Sequence, residues 1–507
     1  MQNVTSRLHR VISKRSCAAA RRGDQPVTAP DAVVVGSGPN GLAAALTLAR
    51  AGLSVQVIEG AAEPGGGCRT AELTLPGFAH DVCSAVHPLA VASPFLADFD
   101  LAAHGVRLLT PKVAAAHPLE GDRAAAVYGS VADTASGLGR DAASYRRLLE
   151  PLVRDSDAVV ALAMSQLRSI PGQPVTAARF GAQGLLPAAV LAGRLGTAEG
   201  RVLLAGMAAH AIRPLSSPLT GGFGLLFLML AHTTGWPVIE GGSSQLTGSM
   251  ISELTALGGE VSTGAWIRSL SELPPARAIL LDVTPRQLLA LAGHQLPASY
   301  SRAMRRFRYG PGICKVDWAL DGPVPWRNQA CREAVTVHVG GTIAEVSHSL
   351  AQVHAGRHPD RPFCVIAQPG VVDPGRAPAG RDTLWGYCHV PSGSQLRMAD
   401  RIEAQIERFA PGFSERILAR SVRTAADLER YNPGYVGGAI TGGAPMLRQT
   451  IGRPVLRWNP YRTPLRGVYL CSSSTPPGAG VHGMCGVWAA RTALRDLRID
   501  IAVPPVR

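Results

Sequence analysis

The sequence predicts an α/β protein whose parallel sheet is assembled from discontinuous segments, with an α+β domain inserted between them. Three observations carry this expectation. Residues 31–59 read as strand, glycine turn, helix and strand; a second glycine-rich loop follows at once; and the chain closes on a strand–loop–helix unit with no room for a further repeat. The chain has 507 residues. One core usually serves no more than ~250–300, so at least two domains are expected.

The first unit is the most informative. Ala32 to Val35 is a β-branched run suited to a buried strand. Gly36-Ser37-Gly38-Pro39-Asn40-Gly41 follows, a GxGxxG turn in a Rossmann-like setting. Gly36 permits the tight turn, Gly38 lets the backbone approach a pyrophosphate, and Gly41 lets the following helix pack against the strand. Residues 42–51 read as that helix, Gly52 stops it, and residues 55–58 form a second strand closed by Glu59. The helix N-terminus offers free N–H groups and a partial positive charge to phosphate. Glu59 stands where a carboxylate accepts hydrogen bonds from an adenosine ribose.

Pro64-Gly65-Gly66-Gly67-Cys68-Arg69-Thr70 is the second loop. Gly66 and Gly67 allow close backbone approach, and the planar fork of Arg69 suits phosphate. At the other end, residues 467–470 read as a strand, 471–486 as a loop and 487–497 as a helix. Residues 478–483 also spell GxGxxG, but too little chain follows for a second nucleotide unit.

The second loop resembles the Gly-Gly-x-x-Arg-Thr/Ser element of the flavoprotein group that includes amine oxidases and phytoene desaturases. With Leu75-Pro76-Gly77-Phe78-Ala79-His80-Asp81-Val82-Cys83-Ser84-Ala85-Val86-His87-Pro88 and Tyr461-Arg462-Thr463-Pro464-Leu465, the set resembles the actinobacterial branch of the phytoene desaturase-like, carotenoid/retinoid oxidoreductases. The resemblance spans residues 31 to about 498. It implies FAD, with the second loop (Gly66, Gly67, Arg69, Thr70) beside the pyrophosphate and ribityl chain, and the backbone of Ile267 against the adenine. It also implies a flavin-contacting C-terminal element including Ser474, Gly480, Val481 and His482. A helix start aimed at the pyrimidine edge would stabilise negative charge on reduced flavin. Two positions depart from the pattern. Ala439 stands where these relatives usually carry Asp, and Trp488 stands where they often carry a polar residue.

On this reading residues 1–30 are a disordered basic extension, 31–140 the first part of the FAD-binding domain, and 141–234 a helical substrate or lid region. Residues 235–290 return to the FAD-binding domain, 291–452 form the sheet of the substrate domain, and 453–507 complete the FAD-binding domain. The apolar helices of 141–234 suit a helical core, or the wall of an apolar tunnel, or a lid lying on a membrane. Strand alternation puts Trp385, Tyr387 and His389 on one face, either walling a substrate pocket or filling a core.

Composition narrows the function. Hydrophobic residues make up 46% and charged ones 17%, as in a folded protein. The net charge of +14 comes from scattered arginines; only Lys14, Lys112 and Lys315 are lysines, and aromatics are 5%. Without a basic face interleaved with aromatics, no nucleic-acid partner is expected. The cysteines show no CxxC and no His at metal spacing, so neither a metal site nor a disulfide framework is expected, and a reducing, cytoplasmic setting is. No stretch is long and apolar enough to span a bilayer, which leaves room for peripheral membrane contact.

The expected chemistry is direct hydride exchange between flavin N5 and an apolar polyene, isoprenoid or lipid-like substrate: desaturation, saturation or isomerisation. No strong catalytic dyad is legible. His389 and His482 are the candidate bases, with His87 behind them, because imidazole titrates near neutral pH. A flavin amine oxidase and a cofactor- or lipid-binding scaffold without turnover are the rival readings. The electron acceptor and oligomeric state are not legible.

Overall fold

The computed structural model describes residues 29–166 and 172–499, so the basic extension falls almost wholly outside the described residues. Two sheets organise the rest. The first has five parallel strands in the order Val468–Leu470, Ala278–Leu281, Ala32–Val35, Val55–Ile58, Glu260–Ser262. Ala32–Val35, Ala278–Leu281 and Val468–Leu470 read as continuous apolar runs because helices cover both faces. On one side the helix Pro39–Arg50, buried from Asn40 to Ala49, packs between Ser244–Ala256 and the final helix Met484–Asp496. On the other side lie Pro285–Ala292 and Ala298–Arg305, whose Leu288, Leu291 and Met304 share a core with Val33, Val35, Leu281 and Leu470. Thr284 starts the first of these with a full capping box to Gln287 and Pro285 at the first helical position.

Residues 291–305 therefore pack with the dinucleotide sheet, and the boundary expected at 290 moves past them. The sequence boundary followed a strand that only begins at Gly312.

The second sheet has seven strands in the order Ile417–Arg423, Gly312–Leu320, Asp382–Val390, Cys364–Ala367, Ala334–Val339, Val113–Pro118, Ala124–Tyr128. All neighbours are antiparallel except Ala334–Val339 and Val113–Pro118. This corrects the first segment as well. Residues 113–128, expected in the FAD-binding domain, pair into the substrate sheet; their short Ala/Val runs carry no mark of which sheet they join. One face of this sheet buries Trp318, Leu384 and Ile366 under the helix Ala399–Phe409. Register puts Lys315 opposite Tyr387 and Asp317 opposite Trp385, so these four share the other face.

The helical insertion (Ala142–Arg154, Ser156–Ala163, Pro174–Gly184, Ala188–Ala192, Ala198–Ala209, Thr220–Thr233) packs its own core of Leu149, Leu203, Met207, Leu225 and Leu228 against Val127 and Trp236. No helix among the described residues is long and apolar enough to cross a membrane.

Candidate active site

A cavity of about 1110 Å³ runs from the first glycine turn to the substrate sheet. Gly36, Gly38, Pro39, Asn40, Glu59, Gly66, Gly67, Arg69 and Ile267 line its first half. The two glycine elements touch directly. Gly65 N donates to Ser37 O at 3.2 Å, and a Cβ on Gly66 would lie 2.8 Å from the Gly38 Cα. Glu59 locks this corner: its carboxylate accepts from Ser37 N (2.8 Å), Ser37 Oγ (2.6 Å) and Ala61 N (2.9 Å), with Arg69 Nη2 at 3.7 Å. Arg69 also donates to Pro64 O and to the Tyr431 hydroxyl. Ser37, Gly41 and Thr70 stand behind the wall. A Cβ on Gly41 would lie 2.1 Å from Gly36 O, and the Thr70 hydroxyl donates to Asp81.

This corner fits a dinucleotide on three counts of its own. The Asn40 Oδ1 is buried without a partner. The helix start at Pro39 has no cap from its own N-cap residue, Gly38, and with Gly41 N taken by Asp282 it leaves the Asn40 N–H beside the cavity. Arg453, 7% exposed, lines the cavity with its Nε unpartnered and one long hydrogen bond, 3.4 Å, from Nη2 to Gly443 O. Burial lowers its pKa to about 10, so it is still cationic at neutral pH. A buried guanidinium without a carboxylate invites an anionic group.

Asp282 is a further member of the corner. Its Oδ2 accepts from Gly41 N at 3.0 Å and stands 3.0 Å from where a Cβ of Gly38 would be. Burial pushes its pKa up to about 7; the nearby charge of Glu59 adds to this, and the Gly41 N–H opposes it. The other titratable groups that feel it are the buried thiols of Cys471 and Cys485. The native pKa thus lies above the unfolded value, so the native state holds the extra proton between pH about 4 and 7, and stability falls as pH rises through that window. An anionic dinucleotide would meet a second negative charge above pH 7. Wild-type affinity for FAD is expected to drop about tenfold between pH 6 and 8.5, and that of Asp282→Asn by less than about threefold. Flavin fluorescence quenching reads both; equal slopes would exclude this role for Asp282.

In the C-terminal element, Gly480, Val481 and His482 line the cavity. Ser474 does not; its hydroxyl donates to Gly442 O at 2.7 Å behind the wall. His482 Nδ1 accepts from Met484 N at 3.0 Å, which places the ring proton on Nε2. Burial lowers its pKa to about 4, so it is neutral. Trp488 sends its indole N–H to Met164 O at 2.9 Å, tying the last helix to the helical insertion, and Ala439 is buried.

The second half of the cavity is walled by the insertion helices (Phe180, Phe223, Phe227) and the sheet face. Trp385 and Tyr387 line it, edge to face with centroids 5.3 Å apart, and the Trp385 N–H is buried without a partner. His389 shares their face but does not reach the cavity. It lies beyond Tyr387 against Phe363, both ring nitrogens unpartnered, with its pKa lowered to about 3 by burial. The imidazole that does reach the cavity there is His210. Its Nε2 sits 2.9 Å from His338 Nε2, so one ring must donate and the other accept. His87 also lines the cavity, with Nε2 on the Ser243 hydroxyl at 2.9 Å. Behind Trp385 lies the buried ion pair Lys315–Asp317, with Lys315 Nζ 5.4 Å from the indole ring. Burial lowers the lysine pKa and raises that of the aspartate. No group of metal-ligand type comes together among the described residues.

Known proteins are similar to this chain in sequence and in fold. The NAD(P)-binding Rossmann-like domain family matches residues 34–99. Pyridine nucleotide-disulfide oxidoreductase domain-containing protein 2 of Rattus norvegicus is 27% identical, over 97% of this chain and 98% of its own length. Phytoene desaturase (lycopene-forming) of Pseudescherichia vulneris is 25% identical over 52% of this chain and 56% of its own. Among solved structures, wild-type putrescine oxidase bound to putrescine superposes with a TM-score of 0.59 at 17% identity, covering 92% of this chain and 99% of that one. Two sheets, a double-glycine cradle and a cavity joining them give this chain the fold seen in putrescine oxidase.

Proposed function

We propose that this FAD-dependent oxidoreductase belongs with the phytoene desaturase-like proteins of actinobacterial type and exchanges hydride with an apolar polyene, isoprenoid or lipid-like substrate. The observation that carries the reading is the lining of the cavity. Among the described residues its only carboxylates, Glu59 and Asp282, lie at the dinucleotide end, while Phe180, Phe223, Phe227 and Val365 wall the other half. An apolar molecule gains from that burial, about 25 cal/mol per Å²; an ammonium there would find no counter-charge.

Bound FAD supplies a hydride acceptor or donor. The chain's part is to bind, orient and exclude water. Arg453 and the helix start at Pro39 offer positive potential to an anionic cofactor, and Trp385 and Tyr387 wall the substrate side. His482 (neutral, proton on Nε2), His210 (paired with His338) and His87 (on the Ser243 hydroxyl) are imidazoles lining the cavity that can hold a proton. One observation favours the rival amine-oxidase reading: two aromatic rings, Trp385 and Tyr387, wall the substrate end, and an aromatic face attracts a cation.

Anaerobic stopped-flow reduction of the purified flavoprotein against polyenes, fatty-acyl compounds and amines separates the readings. Bleaching by polyenes or acyl compounds is the expected result; bleaching by amines alone would transfer the protein to the rival reading, and no bleaching by either would leave a binding scaffold. Wild-type protein is expected to be yellow and Gly38→Val colourless, since the new side chain would meet the Asp282 carboxylate and fill the pyrophosphate approach.

A further inference from the structure

Beside the cavity, residues 446–458 expose Met446, Leu447, Ile451, Leu456 and Trp458, the last two to 70% and 83%. Single exposed apolar residues are ordinary; a cluster within one short segment is not. Leu447 and Ile451 stand one turn apart on the helix Leu447–Gly452, and a Cβ on Gly452 would lie 3.2 Å from Leu456, so the apolar groups form one surface. The segment is held firmly: the Gln449 amide accepts from Arg308 N at 2.7 Å and donates to Arg308 O and Ala444 O. It also forms the cavity rim, because Pro445 and Thr450 line the cavity.

The stretches of chain that build it carry charge of one sign, and the adjoining carboxylate, Asp496, is paired with Arg462. Residues 430–495 and 283–316 contain no Asp or Glu. Arg448 and Arg457 are exposed within the segment, and Arg302, Arg305 and Arg306 are exposed on and beside the helix Ala298–Arg305. The two stretches meet where the Arg457 guanidinium lies 5.6 Å from the centre of the Tyr300 ring. Bulky apolar groups ringed by arginine suit an interface whose surface is anionic and whose interior is hydrocarbon. A second copy of this chain is a poor occupant, because a two-fold contact would set the same arginines against each other.

We infer that residues 446–458, with the arginines of residues 302–306, dock the protein on an anionic lipid bilayer and bring the rim of the cavity to the membrane surface. The value of such docking to turnover rests on the apolar-substrate reading above; the docking itself does not.

Vesicle flotation of the full FAD-loaded chain tests this. Phosphatidylglycerol–phosphatidylcholine vesicles are expected to carry the protein at about 0.15 M salt, pure phosphatidylcholine vesicles to carry much less, and 1 M salt to release it. Leu456→Glu with Trp458→Glu is expected to weaken binding at least about tenfold, and Arg305→Glu with Arg306→Glu at least about fivefold per residue, with the flavin spectrum unchanged. Equal flotation with and without phosphatidylglycerol, or unchanged flotation of both variants, would overturn the inference. So would a wild-type dimer in light scattering that the Leu456→Glu/Trp458→Glu variant abolishes, since that assigns the patch to a second copy. If flotation holds while no apolar substrate bleaches the flavin, the docking surface stands and the substrate reading falls.

Discussion

Gly486→Ala is expected to destabilise the protein by about 3 kcal/mol or more and to strip it of flavin. Gly486 lies in the first turn of the helix Met484–Asp496, where an added Cβ would sit 1.8 Å from Asn40 O and 2.9 Å from Ala44 N. These are backbone atoms of the helix Pro39–Arg50, so no side chain can swing aside. The two helices must part by more than an ångström along an interface of Ala43, Ala44, Ala489, Ala490 and Ala493, all of it buried. Asn40 is both the clashing residue and part of the dinucleotide corner, so displacement reaches the cofactor site directly. Gly248→Ala is the matched control: it sits in the helix Ser244–Ala256 with nothing within 4 Å of the new methyl. It is expected to be neutral or to stabilise by up to ~1 kcal/mol. Urea unfolding with absorbance near 450 nm reads both; a Gly486→Ala protein as stable and as yellow as the control would refute the close helix contact.

Arg376→Leu is expected to cost about 3–5 kcal/mol. The guanidinium is 1% exposed and satisfied on three sides: Nε to Asp373 Oδ2 (2.6 Å), Nη1 to Asp81 Oδ2 (3.0 Å) and Nη2 to Ile239 O (2.9 Å). Asp81 in turn accepts from Ser243 N and the Thr70 hydroxyl, and Asp373 from Gly241 N. One arginine therefore holds together the second glycine loop, the 238–243 turn and the 373–376 turn. Its loss leaves two carboxylates buried against each other with no cation between them. The triple variant Arg376→Leu, Asp81→Asn, Asp373→Asn should recover a large part of the loss, because it removes the stranded charge rather than the packing. If the triple variant is no more stable than Arg376→Leu alone, the cost lies in packing and the charge argument fails.

What could be read from the chain beforehand follows the physics. The glycine turn was legible because its geometry admits almost no other residue: Gly36 has φ of 102° and Gly66 57°. The shared face of Trp385 and Tyr387 was legible because strand alternation is fixed at two. By contrast Asp282, Arg453 and His210 reach the cavity from places where a single residue carries no periodic signal, and each acquires its role from a neighbour that only the folded chain supplies. Asp282 meets Gly41, Arg453 meets Gly443 and Gly478, and His210 meets His338. His389 obeyed the same alternation as Tyr387 but sits one pair further along the strand, beyond the cavity's end; alternation gives the face and not the depth. Residues 113–128 escaped for a related reason, since small apolar strands pair equally well with either sheet.

The strand order of the dinucleotide sheet has a consequence for biogenesis. Its middle strand comes from residues 32–35, an outer one from 468–470, and the helix that backs the glycine turn comes later still. A ribosome translating this message must release the chain as far as residue 496 before the nucleotide pocket acquires its second wall. Flavin capture is then a late event of synthesis, and truncated or stalled products would leave apolar helices without their cover, as natural clients for chaperones.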